Sequence, residues 1–487
     1  MKKLMFAAVL LLTAAVASYA QDAVAEQPAE RAVASADGLN DDGSLMKYRR
    51  SSLFSVLIQH PGFPYAEAID SAFRAIPIPD KFNDHNLPME SRFIISSATK
   101  MKKGGKKKAA TNQEDIDAFI ADTHVPRELV AKWFDRDPST GAFDMALIQE
   151  RGFYDASQAD IAAAGQTERN IAILGDAGED LIGKTFMIVN DITFVDKGEQ
   201  SKTAAGVISV LGGIAGRLLG SSAISDLGRL AATAVNEIDG FKVNITTYLY
   251  RLDWNDEIAG TFYKEYWYQG AANPARRAAF DASDIFKVTY VGETTTSAQN
   301  VSSKSFSKKS KDQQMLTVCS RAIDKAIVEL QREYDEFKVN VPIYRINAEE
   351  KTVDVQIGLK EGLNNKSQYE VLMSVADENG HRSYKRVGLI KPDPDKIWDN
   401  RFGALEEAQA LAQDAANGDA VAQPDEDGEE AAGEVSSNPK DKKAKKVKGE
   451  KTKGDPTLGA TTFKIISGAD KIMPGCLVRE VTIKREG

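Results

Sequence analysis

The stretch Met315-Leu316-Thr317-Val318-Cys319-Ser320-Arg321-Ala322-Ile323-Asp324-Lys325-Ala326-Ile327-Val328-Glu329-Leu330 decides how the chain is read. Leu316, Cys319, Ile323, Ile327, Leu330 and, further on, Tyr334 recur at three- and four-residue steps, so on a helix they share one face. The spacing predicts a helix over 313–336 with one apolar stripe to bury. It runs directly into Phe337-Lys338-Val339-Asn340-Val341-Pro342-Ile343-Tyr344-Arg345-Ile346, a strand-like run. That run echoes Phe241-Lys242-Val243-Asn244-Ile245-Thr246-Thr247-Tyr248-Leu249-Tyr250-Arg251-Leu252, which alternates as a half-exposed strand should. The echo suggests matched strands, although ten residues do not establish a repeat.

Working outward towards the N-terminus, Thr185-Phe186-Met187-Ile188-Val189 and Ile192-Thr193-Phe194-Val195 read as one strand, entered from a helix that ends at Gly183 in a left-handed cap. Trp254-Asn255-Asp256 reads as a turn, Gly260 to Tyr268 as an antiparallel return, and Ile285 to Val291 as a further strand. From Glu114 to Leu181 the pattern is helical, with Phe119, Leu129, Trp133, Met145, Ile148, Ile161, Ile171 and Leu174 as candidate core positions. Ordered structure is expected to begin near Lys47, with Ser51 to Ile58 as the first of two helical patterns. The second runs through Ala66, Ile69, Phe73 and Ala75 and stops at Pro77 and Pro79.

Towards the C-terminus the strands shorten: Val353 to Ile357, Tyr369 to Val375, Tyr384 to Ile390, Thr462 to Ile466 and Cys476 to Ile483. Punctuated by Gly and Pro, they predict a small antiparallel barrel or sandwich. A break from Glu406 to about Pro456 is first rich in Ala and acids, then in Lys. It reads as a disordered charged insertion within the β domain. The expected fold class is therefore α+β: a helical N-terminal half, a central mixed sheet and a small β module. The expected division is 46–346 for the α+β domain and 347–487 for the β domain.

The chain has 487 residues and a formal net charge of −9 at pH 7. It opens with Met1-Lys2-Lys3, an apolar run from Leu4 to about Ala17, and Ser18-Tyr19-Ala20 before Gln21. Two cations, a run of about 14 apolar residues and small residues three and one before the cut are the parts of a cleavable secretory signal. Residues 1–20 are thus expected to be removed, leaving a flexible leader over 21–45. The run is shorter than the ~20 residues of a membrane span, and no later stretch reaches that length. The acidic balance argues against nucleic-acid binding. Lys100, Lys102, Lys103, Lys106, Lys107 and Lys108 form a basic run, read as a solvated loop or a contact for an anionic surface.

Candidate chemistry is sparse. His60, His85, His124 and His381 show no metal-ligand spacing, and there is no Gly-x-Ser-x-Gly elbow, P-loop or dinucleotide fingerprint. No cofactor is expected. Asp135, Asp137 and Ser139 fall at the first, third and fifth positions of a calcium loop, but Gly141 stands at the seventh position and no Glu closes the loop, so a plain turn competes. Cys319 and Cys476 are either two buried small apolar side chains or a disulfide. Gly212, Gly216 and Gly220, four apart in the apolar segment 203–222, would form a smooth ridge on a helix. Three readings stay open for it: a membrane or oligomer contact, a helix buried on the sheet, or a mobile loop.

Lys47-Tyr48-Arg49-Arg50-Ser51-Ser52-Leu53, Pro79-Asp80-Lys81-Phe82-Asn83-Asp84-His85 and Glu150-Arg151-Gly152-Phe153-Tyr154-Asp155-Ala156-Ser157 resemble an uncharacterised family of exported bacterial envelope proteins. Gly358, Gly362 and Tyr369 to Val375 are similar to small β modules of envelope-assembly proteins. The resemblance implies an envelope location, periplasmic or at the outer membrane or cell surface, and supplies no site residue. The expected role is a non-catalytic binding or scaffold protein, with an envelope protein, self-association or peripheral membrane contact as partner. A hydrolase of glycans or peptides using dispersed carboxylates, and a membrane-associated oligomer using 204–222, are the alternatives.

Overall fold

The computed structural model describes residues 51–97, 112–152, 179, 181–196, 241–299, 309–338, 340–376, 382–416, 452, 454–473 and 476–481. The signal segment, the leader, the lysine run at 100–108, the glycine segment 203–222, His381 and most of the charged insertion lie outside the described residues.

The first strand, β1 (Ser51–Gln59), is where the expectation of a helical N-terminal half fails. Eight of its nine residues are buried, on both faces. A strand covered on both sides loses the polar–apolar alternation that would betray it, and a short apolar run looks the same as a helix face. Helix α1 (Ala66–Ala75), β2 (Phe82–Asp84) and β3 (Phe93–Ile95) follow, then α2 (Gln113–Thr123), α3 (Val125–Trp133), α4 (Ala146–Gly152) and β4 (Thr185–Asp196). Strands and helices are interleaved here, and the longest helix among the described residues lies far downstream.

β1 pairs in parallel with β2, β3 and β4, whereas β4, β5 (Phe241–Leu252) and β6 (Val288–Gln299) run antiparallel. The sheet order is β2-β1-β4-β5-β6, with β3 also on β1. β2 covers Ser51 to Leu53 and β3 covers Leu57 to Gln59, which leaves Ser55 in the gap between them. Side chains close that gap: Ser55 N–H donates to Asn86 Oδ1 at 2.9 Å, and Arg92 Nε donates to the Ser55 carbonyl at 3.0 Å. A buried backbone without such partners would be costly.

Between β5 and β6 the expected antiparallel return is absent. Asn255 instead caps helix α5 (Asp256–Thr261), its Oδ1 accepting from the amides of Glu257 and Ile258. A π-helical turn, Phe262–Tyr266, and α6 (Pro274–Asp281) complete the connection. Gly183 also departs from expectation: it lies inside a 3₁₀ turn, Ile182–Lys184, and is not among the positive-φ glycines.

The sheet has a core on each face. One joins Phe54, Val56, Met187, Val189, Tyr248 and Tyr250 to α2, α3 and the aromatics of 254–286. The other joins Leu53, Leu57, Ile188, Ile245 and Leu249 to α1 and to α7 (Lys311–Glu333). Ser310 caps α7 by accepting from the Gln313 amide.

Beyond α7, β7 (Val341–Asn347), β8 (Thr352–Val355), β9 (Tyr369–Ala376), β10 (Arg382–Pro392), β11 (Thr461–Ser467) and β12 (Leu477–Glu480) close into a barrel, ordered β10-β11-β8-β7-β12-β9. The two echoing segments therefore belong to different sheets. Phe241 begins β5, whereas Phe337 ends a 3₁₀ turn and its strand starts only at Val341, in the barrel. The insertion is also not uniformly disordered as expected. Residues 404–416 form helix α8 (Ala404–Ala416), and Glu407 is buried against α7.

Barrel and sheet meet on α7. Arg321 Nη2 pairs with Glu407 at 2.8 Å and donates to the Phe402 carbonyl at 3.1 Å. Arg332 reaches Glu480 at 3.4 Å and the Gly362 carbonyl at 2.9 Å. Gly362 has φ +70, and a Cβ there would stand 2.7 Å from Val328 Cγ1, so glycine is required twice over. Asp324, 15% exposed, lies 3.9 Å from Lys360, and burial pushes its carboxyl up to about 7.

Two outcomes follow from this junction. Glu407→Ala strands a buried guanidinium and is expected to lower unfolding free energy by about 3 kcal/mol in urea titrations. For Asp324, folding is unpenalised below the ordinary carboxyl value, and the cost grows as pH rises towards 7, where the folded state finally ionises. Asp324→Asn should therefore stabilise the protein by roughly 2 kcal/mol at pH 8 and by much less at pH 4.5, read as paired melting curves.

Candidate functional site

Among the described residues, those singled out by sequence do not assemble. Asp137 Oδ1 accepts from the Ser139 amide (2.8 Å), the Ser139 hydroxyl (2.5 Å) and the Thr140 amide (2.7 Å). Those hydrogen bonds hold its carboxyl down at about 2. The carbonyls of Pro138 and Ser139 accept from Arg277, and that of Thr140 from the Tyr268 hydroxyl. Asp137 Oδ1 and the carbonyls of Pro138, Ser139 and Thr140 are thus engaged by protein donors, and the loop from Asp135 to Gly141 has the hydrogen bonds of a self-capped turn. Among the described residues no group of three or more His, Cys, Asp or Glu is placed to hold a metal.

Cys319 and Cys476 are free and buried. Cys319 belongs to the core under α7, where burial pushes its thiol up to about 12, and Cys476 belongs to the barrel core. The alternative of a disulfide between them is thereby set aside. Gly212, Gly216 and Gly220 lie outside the described residues. Among the described residues no helix is long and apolar enough to cross a membrane.

Two buried polar networks serve the fold. His85 Nε2 donates to the Leu129 carbonyl at 2.9 Å, and its Nδ1 accepts from Arg151 Nη1 at 3.0 Å. Burial and the adjacent Arg151 charge hold the imidazole well below its usual value, so it is neutral. Arg151 also donates to Ser52 Oγ and the Asp84 carbonyl, with its guanidinium 4.4 Å over the Trp133 ring. On the opposite face Asn190 donates to Ser55 Oγ and the Val56 carbonyl, while Thr247 donates to Asn190 Oδ1, tying β1, β4 and β5 together.

A third network lies at the carboxyl end of β1. His60 Nε2 meets Asp191 Oδ1 at 2.7 Å, and Asp191 Oδ2 accepts from Asn112 Nδ2 at 2.7 Å. His60 stacks on Phe63, and its Nδ1 is buried without a hydrogen-bond partner. The adjoining hollow, lined by Asp70, Thr193 and Phe194 among others, holds about 10 Å³, room for about one water molecule. An oriented imidazole with an open nitrogen has the chemistry of a general base. The hollow does not admit a substrate beside it.

The larger concavity lies at the other end of β5. It encloses about 600 Å³ and is lined by Gly183, Arg251, Asp253, Trp254, Asn255, Asp284 and Lys287 among others. That volume falls in the usual range of ligand sites. Asp253 directs both oxygens to the Thr289 hydroxyl at 2.8 Å, and Arg251 pairs with Glu336. Asp284 and Lys287 are exposed, and among the described residues neither has a side-chain partner. Sequence reasoning missed this groove because a turn was assigned at Trp254-Asn255-Asp256. An Asn followed by Asp256 and Glu257 is a helix N-terminal signature that would have placed α5 there.

Arg151→Met should leave His85 Nδ1 and the Ser52 hydroxyl unmatched inside the protein. The expected loss is about 2 kcal/mol of stability by urea denaturation, and the groove, built from other segments, should be unaffected. In comparisons with known proteins the chain matches no family model and no curated protein.

Proposed function

We propose that the protein is exported and acts in the cell envelope as a non-catalytic binding or scaffold protein. The observation that supports this reading is a contrast in how polar side chains are engaged. His85, Arg151, Asn190, Thr247 and Asp137 are each spent on internal hydrogen bonds. Asp284 and Lys287, which line a groove of about 600 Å³, have no such bond among the described residues. Partner binding uses such unengaged groups in a concavity, whereas catalysis needs a reactive group with room for substrate.

A second reading, a secreted hydrolase, has one observation in its favour. The His60–Asp191 pair leaves an imidazole nitrogen open beside the carboxylate of Asp70, whose proton is held more tightly because of burial. A hydrolytic activity of the purified protein on glycans or peptides that disappears in His60→Ala would establish that reading over binding.

The export reading is tested by mass spectrometry of the native protein after cell fractionation. The expected result is an N-terminus at Gln21 in envelope or periplasmic fractions. Recovery of a chain that retains residues 1–20, with its bulk in the cytosol, overturns it.

A further inference from the structure

The groove beside Trp254 presents donors and acceptors in an order that selects among ligand chemistries. Trp254 is half-buried, and among the described residues no protein acceptor meets its Nε1–H. Its indole is held by a tilted contact with Phe134 and an edge contact with Phe262, at centroid distances of 5.8 Å each, and it lines the groove. Beside it, exposed Asn255 uses Oδ1 to cap α5, and among the described residues its Nδ2 donors have no partner. Asp284 supplies acceptors and Lys287 supplies donors, and Asp253 has acceptor capacity beyond the single hydroxyl it holds.

Charge excludes some occupants. Arg251 is neutralised by Glu336, so Lys287 faces Asp253 and Asp284 as the remaining cation of the lining, and a phosphate would meet more negative than positive charge. A purely apolar ligand would bury these charges without partners. A polyhydroxylated ring has the complementary chemistry. Each hydroxyl both donates and accepts, and a face of C–H groups packs on an indole.

We propose that this groove binds a saccharide, with one ring against Trp254 and its hydroxyls shared among Asn255, Asp284 and Lys287. The assignment rests on the binding reading above and names the ligand class for it.

The test uses the full mature chain. It is titrated calorimetrically, and by tryptophan emission, with triacetylchitotriose, maltotriose and a galacturonate trimer. At least one should bind saturably, and the double variant Asp284→Asn, Lys287→Gln should weaken it about tenfold or more with an unchanged melting temperature. Both side chains are exposed and, among the described residues, without a partner, so this variant keeps the fold. Trp254→Phe retains the aromatic backing and should also weaken binding. Absence of saturable binding by all three, or binding indifferent to these variants, overturns the saccharide assignment. A parallel arm separates that failure from failure of the binding reading: a cross-linker on Lys287→Cys in intact cells. If it joins the groove to an envelope protein while saccharides are ignored, only the ligand class falls. If neither engages, both fall.

Discussion

Burial of α7 between two unlike surfaces is the constraint on which the remainder of the structure depends. Met315, Val318, Cys319, Ala322, Ile323, Ala326, Ile327 and Leu330 form a stripe that packs under the sheet. Leaving it exposed would forfeit roughly 1.5–3 kcal/mol for each large side chain. The other side of the same helix carries Arg321, Asp324, Val328 and Arg332 towards the barrel and α8. Sheet and barrel are thus held by different physics, apolar burial on one side and, on the other, ion pairs that are buried at Arg321–Glu407 and half-buried at Arg332–Glu480 and Asp324–Lys360. Buried ion pairs contribute little net stability while penalising any misfit, so they fix where the barrel docks more than how tightly.

The same helix manages the open side of the sheet. β6 has β5 on one side and no further strand among the described residues on the other. Unpaired strand edges recruit other chains. Here the Tyr334 hydroxyl accepts from the Glu293 amide, and Lys325 reaches the Ser297 carbonyl at 3.5 Å. Glu293 and Ser297 are four apart, so both point to the same edge. Gly292 makes the first contact feasible, since a Cβ there would overlap the Tyr334 ring. At the far side Asn86 and Arg92 fill the gap opposite Ser55, so each flank of the sheet is closed partly by side chains.

What was legible in the sequence followed the alternation of apolar and polar side chains. α7 sets an apolar stripe against Arg321, Asp324 and Arg332 on its other side, β5 alternates from Lys242 to Thr246 before both of its faces close, and β7 alternates at its start. β1 has no wet face and could not declare itself a strand, which is why the N-terminal half reads as helical. Helix α5 was hidden because its signal is a cap, Asn255, instead of a period. The Phe-Lys-Val-Asn echo misleads for a related reason. Four residues adopt strand or turn according to neighbours, and Pro342 and the end of α7 differ from what surrounds Phe241. The polar networks were beyond reach: His60 and Asp191 are 131 residues apart, and His85 and Arg151 are 66 apart. Only the topology brings them together.

Rigidity beneath the groove explains why unengaged side chains there differ from ordinary surface charges. Trp254 stands on a cluster in which Phe134, Phe143, Phe262 and Trp267 meet edge to face or stacked. Such contacts add about 0.5–1.5 kcal/mol per pair beyond burial and resist rearrangement. Asn255 is fixed as a helix cap and Asp253 by the Thr289 hydroxyl. A ligand entering this groove would meet Trp254, Asn255 and Asp253 already ordered, so the protein's entropic cost of binding falls mainly on the side chains of Asp284 and Lys287. The His60 pair is equally rigid but closed, and its hollow is too small to exploit that order. Preorganisation yields recognition only where space accompanies it, and among the described residues the groove beside Trp254 combines the two.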